Sequence, residues 1–136
     1  MPAPNQLLIF GATLLATAGH EAGHYVAARC LGVRTYGFRL NLKGIGLARD
    51  FGSPIQNLAI TLAGPMANFL LMGVILLTPW LGVLAVWATF VNFVIGAFNL
   101  LPVPGSDGMR ALSLLRDSRR NLHDTMVAAG PINDST

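Results

Sequence analysis

The pentapeptide His20-Glu21-Ala22-Gly23-His24 constrains this chain more than any other stretch. It lies in an apolar run, Leu7 to Cys30, of helical character, where Arg29 is the only other charged residue. On a helix, positions 20 and 24 stand one turn apart on one face, so both imidazoles can point at one ion. Glu21 is displaced from that face. It is poorly placed as a third ligand and well placed to take a proton from a water held by the metal. The chain has three histidines and one glutamate, and this run holds two of the histidines and the only glutamate. The bland alternative is a chance match, or a histidine pair satisfied by hydrogen bonds. The apolar setting counts against it, because ionisable groups there are expensive and mark function by default.

Composition sets the class. Of 136 residues, 53% are apolar and only 11% charged, with a mean hydropathy of +0.56. Soluble domains run nearer a quarter charged, so the expectation is one integral membrane unit. The net charge of +3 does not point to nucleic acid. The basic residues sit beside the apolar spans, as positive-inside charges do. Cys30 is the single cysteine, which excludes an internal disulfide and a zinc–thiolate motif. Ala16-Thr17-Ala18 has the look of a cleavage site, but no positive charge precedes the apolar stretch. The segment is therefore expected to be retained.

In chain order, the sequence predicts an all-α membrane bundle. Span one covers about 7–30 and is long enough for a bilayer core. Between residues 31 and 53, Phe38, Leu40 and Leu42 alternate with Arg39, Asn41 and Lys43. Gly44 and Gly46 allow a turn, and a small β-hairpin follows from that pattern. Span two covers about 55–78 and contains Gly64-Pro65-Met66-Ala67-Asn68. Pro65 frees a backbone carbonyl and is expected to kink the helix. Asn68 is the one strongly polar side chain deep in that span. It is either interhelical glue or a donor aimed at the reaction centre. Span three covers about 81–101. The segment Asn99-Leu100-Leu101-Pro102-Val103-Pro104-Gly105-Ser106-Asp107-Gly108 breaks regular helix, a break tolerated at this depth only where backbone is buried in protein or lines a watery cavity. Asp107 reads as a carboxylate in need of a cation, as the N-cap of a helix from Met109 to about Arg116, or as both. A flexible polar tail is expected over 120–136, with His123 in solvent. Arg29 closes span one, and every other Lys or Arg lies between spans one and two or after span three. That bias predicts N-terminus out and C-terminus cytoplasmic, with the site toward the cytoplasmic side.

Three motifs thus stand in order: HEAGH, GPMAN and NLLPVPGSDG. Together they resemble the site-2 protease family of intramembrane zinc metalloproteases, over about Leu7 to Leu115. The resemblance implies that His20, His24 and Asp107 are zinc ligands and that Glu21 is the general base. It implies that Asn68 contacts the substrate backbone or stabilises the oxyanion. It also implies a three-helix core with a sheet after the first helix, and a single-pass transmembrane protein or peptide as substrate within the lipid bilayer. Two departures stand out. The frequent DGG is Asp107-Gly108-Met109 here, and this sequence has no flanking helices and no PDZ-like or CBS segment. The alternative to proteolysis is an inactive zinc-binding membrane module. A metal transporter comes third, since three spans make a poor ion path.

Overall fold

The computed structural model describes residues 4–41 and 44–129. Helix α1 runs Pro4–Cys30 and is followed by strands β1 (Thr35–Asn41) and β2 (Gly44–Arg49). Helix α2 runs Pro54–Leu76, a single 3-10 turn covers Pro79–Leu81, and helices α3 (Val83–Leu100) and α4 (Asp107–Ala129) complete the described chain. The protein is mostly helical with one two-stranded sheet, as the hydropathy pattern implied.

Small residues let the helices approach closely. Ala12 and Ala16 of α1 meet Val91 of α3, while Ala28 meets Val33 and Ile60. A Cβ on Gly23 would sit 2.6 Å from the Ala63 carbonyl and 2.7 Å from the Ala67 methyl. Both are inside van der Waals contact, so α1 and α2 touch backbone to backbone at the turn that carries the histidines. Such contacts suit packing where surrounding lipid gives no hydrophobic drive between helices. The large apolar side chains point the other way: Leu14, Leu15, Leu70, Val86 and Phe90 are all exposed. Among the described helices, α2 and α3 are long and apolar enough to cross a membrane. In α1, His20, Glu21 and His24 dilute the apolar run.

The hairpin is antiparallel, with Phe38 opposite Leu47, Arg39 opposite Gly46 and Thr35 opposite Arg49. A bulge between Thr35 and Gly37 admits Tyr36 as an extra residue; Gly37 takes φ +100 there, a conformation that costs glycine little. Leu42 and Lys43 lie outside the described residues. The loop from β2 into α2 is tied down by side chains. Ser53 and Gln56 form a reciprocal capping box, which satisfies two of the orphan donors at the helix start. Asn57 accepts from Arg49 Nη1 (2.7 Å) and from the Gly52 amide (3.1 Å), and donates to the Gly52 carbonyl (2.7 Å).

Two expectations change at the C-terminal end. Ser106, not Asp107, caps α4: its Oγ accepts from the Met109 amide at 3.2 Å. Asp107 is the first helical residue, and its carboxylate is left for the interior. The helix also continues to Ala129, well past Arg116. Its distal half is exposed, including Leu122, Met126 and Val127, so no packing contact marks where it ends. The tail expected to be flexible from 120 is helical as far as it is described, and residues 130–136 lie outside the described residues.

Candidate metal centre

Two elements converge on one point. One turn of α1 delivers His20 and His24, and the first residue of α4 delivers Asp107. All three side chains are buried. His20 Nε2 lies 3.0 Å and His24 Nε2 3.1 Å from Asp107 Oδ2, and the two Nε2 atoms are 3.2 Å apart.

The far side of each ring decides what those three atoms are. His24 Nδ1 lies 2.7 Å from the Ile60 carbonyl, which can only accept, so Nδ1 carries the proton. His20 Nδ1 lies 2.7 Å from Asn68 Oδ1. The Asn68 amide cannot be turned round, because its Nδ2 donates to the Ala16 carbonyl (3.0 Å) and to Asn92 Oδ1 (3.0 Å). Asn92 is fixed in turn by donating to the Ala88 carbonyl at 2.8 Å. A backbone carbonyl thus orients one amide, that amide orients the next, and the second sets the tautomer of His20. Both neutral rings then present an Nε2 lone pair to the centre, facing a carboxylate oxygen.

Three acceptors at mutual distances of 3.0–3.2 Å repel unless something positive lies among them. With protons on both Nε2 atoms as well as on Nδ1, two imidazolium rings would stand 3.2 Å apart at one carboxylate oxygen, like charges in contact. One cation satisfies all three atoms together. Ligand atoms about 2.0–2.1 Å from a tetrahedral zinc are about 3.3 Å apart, which is the spacing found here to within a few tenths of an ångström. His20, His24 and Asp107 therefore fit a metal ion by donor type and by distance. The outward Nδ1–H bonds are the supporting contacts that metal-ligating histidines make.

The GPMAN segment makes room for this centre. A Cβ on Gly64 would collide with His24 Nε2, approach His24 Cε1 to 2.5 Å and His20 Nε2 to 2.8 Å. The space beside the two rings exists because residue 64 has no side chain. Pro65, buried inside α2, has no N–H for the Thr61 carbonyl. The preceding carbonyl, Ile60, is the one that His24 uses. Gly108 has the same function at α4, where a Cβ would run into the Leu100 and Leu101 carbonyls. Without it Asp107 could not be held against the end of α3.

The centre opens on a cavity of about 460 Å³, whose wall includes Glu21, Thr17, Asn99, Gly105 and Arg110. Glu21 is partly exposed and stands on this wall beside the two ligand positions. Arg110 Nη1 lies 3.7 Å from Asp107 Oδ1, a contact too long for a hydrogen bond. Asn68 is fully buried; its two amide protons go to the Ala16 carbonyl and Asn92 Oδ1, and its Oδ1 meets His20 Nδ1. His123 is exposed beside Asp124 and takes no part. The sequence reading passed over Gly64 and Asn92. Asn92 carried a signal, a lone amide in the middle of an apolar span; Gly64 carried none beyond its place next to Pro65.

The fold is a helical bundle with two helices long and apolar enough to cross a membrane, and it carries a buried two-histidine, one-aspartate group that could hold a metal ion. The profile of the Peptidase M50B-like family matches residues 3–104, and the chain belongs to that family, which is a site-2 protease family domain. The match ends three residues before Asp107, so the third ligand position rests on the geometry above. A comparison with curated proteins returns no match.

Proposed function

We propose that this chain is an intramembrane zinc metalloprotease that hydrolyses peptide bonds in or near the transmembrane segments of membrane-anchored proteins. The observation that carries the reading is the triangle of three acceptors, made by residues distant in sequence, with a carboxylate beside it on an open cavity. A metal site that only stabilised the fold would need neither the cavity nor Glu21.

His20, His24 and Asp107 would hold a zinc ion beside the cavity. Zinc in such a site supplies a Lewis acid and makes hydroxide available near neutral pH. Glu21 accepts the proton of the attacking water and delivers it to the departing amine. Asn68 and the Ile60 carbonyl keep both Nε2 lone pairs aimed at the metal. The Asn99–Gly105 end of the cavity, where α3 gives way to irregular backbone, admits water.

A helical substrate hides its carbonyls in hydrogen bonds, so the scissile stretch has to be extended. Gly46, Leu47 and Arg49 of β2 line the same cavity, which suits strand addition along β2. Helix α1, about 40 Å long at 1.5 Å per residue, serves as the third span. The charge bias orients the N-terminus outward and the site toward the cytoplasm.

The test is cleavage of a transmembrane reporter by purified protein in detergent, with a chelator control. Glu21→Gln is expected to lower the rate about 10²–10⁴-fold, the usual share of general acid–base catalysis. A wild-type protein that binds zinc and cuts nothing would favour the inactive module instead.

A further inference from the structure

A second cavity, of about 360 Å³, adjoins the metal cavity and shares Gly46, Leu47, Arg49 and Arg110 with it. Its remaining wall includes Arg39 and Tyr36, so three arginine residues line one cavity. Arg39 lies directly across the hairpin from Gly46, which has no side chain to fill the gap. Among the described residues, neither Arg39 nor Arg49 pairs with a carboxylate. Asp50, the acid nearest in sequence, is held outside the cavity by the Tyr36 hydroxyl, which lies 3.0 and 3.1 Å from its two oxygens. Arg49 spends Nη1 on Asn57 and on the Asp50 carbonyl. Burial, and then the neighbouring Arg110 charge, lower its pKa. Three like charges in one pocket repel, and an anion among them would relieve the repulsion.

We propose that this pocket is a specificity subsite for an acidic side chain of the substrate, Asp or Glu, close to the scissile bond. The inference rests on the proteolytic reading above and adds the substrate chemistry to it. Continuity favours a peptide over a lipid headgroup. The two cavities share Gly46, Leu47 and Arg49 of β2, so a chain extended beside β2 with its carbonyl at the metal centre runs through both. Arg110 marks the short distance, since its guanidinium stands 3.7 Å from Asp107. At about 3.3 Å per extended residue, an acidic side chain one to three positions from the cleaved bond reaches the arginines.

The experiment uses peptides with Glu, Gln or Lys at each of three positions on either side of the cleaved bond. Binding to the full chain carrying Glu21→Gln is read by fluorescence anisotropy, in parallel with cleavage by protein with Glu21 intact. At one position Glu is expected to bind about tenfold tighter than Gln at low salt. That ratio falls toward one at high ionic strength and with Arg39→Gln, and Arg39→Glu turns the preference toward Lys. A ratio near one at all six positions, with the Gln peptides still bound and cut, overturns the subsite and leaves the protease reading intact. So does an Arg39-dependent affinity for phosphatidylglycerol vesicles unaccompanied by any peptide preference. Peptides that neither bind nor are cut overturn both.

Discussion

Replacing Gly64 with alanine sets two effects against each other, and the structure says which wins. Alanine is the better helix former by about 1 kcal/mol, so on propensity alone Gly64→Ala should stabilise α2. The added methyl, however, would approach His24 Cε1 to 2.5 Å and His20 Nε2 to 2.8 Å, against an ordinary contact of about 3.5–4.0 Å. One of the partners must move by roughly an ångström. Overpacking of that kind costs about 1–3 kcal/mol, which cancels or slightly exceeds the helical gain. The metal site is far less tolerant, because zinc–ligand distances must hold to within about 0.2 Å. A ring displaced by several times that margin is lost as a ligand. Gly64→Ala should therefore keep its helix content and its thermal midpoint close to wild type while zinc affinity falls at least about 100-fold. Far-UV circular dichroism in detergent reads the first, and competition with a chromophoric chelator reads the second. Zinc affinity within about threefold of wild type would refute the claim that the empty side of residue 64 is what lets the two rings converge.

The support chain behind His20 makes further predictions. Asn68→Leu removes the acceptor for His20 Nδ1 and should weaken zinc binding about 10–100-fold; an oxyanion donor would leave zinc binding unchanged and lower only the cleavage rate. Asn92→Ala leaves one amide proton of Asn68 unpaired and should cost about 0.6–2 kcal/mol of stability in a denaturation titration. Because Ala16 still orients Asn68, zinc affinity should stay within about threefold. Glu21→Gln should retain zinc in full after dialysis, since Glu21 is a wall residue and not a ligand.

How much of this was legible depended on whether a feature was local. The helical spacing of His20 and His24, the alternation around Phe38 and Arg39, and the helix-breaking run before Asp107 are patterns of a few residues, and each matches the element found there. The link between HEAGH and Asp107 was inferred from a set of motifs, and in the structure the three side chains meet at 3.0–3.2 Å. What could not be read was the choice among partners for a polar side chain. Asn68 had two open readings, as glue and as donor. In the structure its Oδ1 meets His20 while Ala16 and Asn92 take its protons, and nothing in the sequence of α2 says which acceptors α1 and α3 will bring near. Ser106 took the capping role because its hydroxyl sits one residue earlier in the turn, which freed Asp107. The length of α4 escaped because its distal half buries nothing.

The central claim is that two imidazoles and one carboxylate from separate helices share a single zinc ion. Zinc K-edge absorption on the purified protein reads this directly. The account predicts about one zinc per chain, a first shell of nitrogen and oxygen at about 2.0–2.2 Å with the outer-shell signature of two imidazoles and no sulfur, and loss of the metal in Asp107→Ala. A sulfur ligand, or a spectrum and zinc content unchanged by Asp107→Ala, would contradict it.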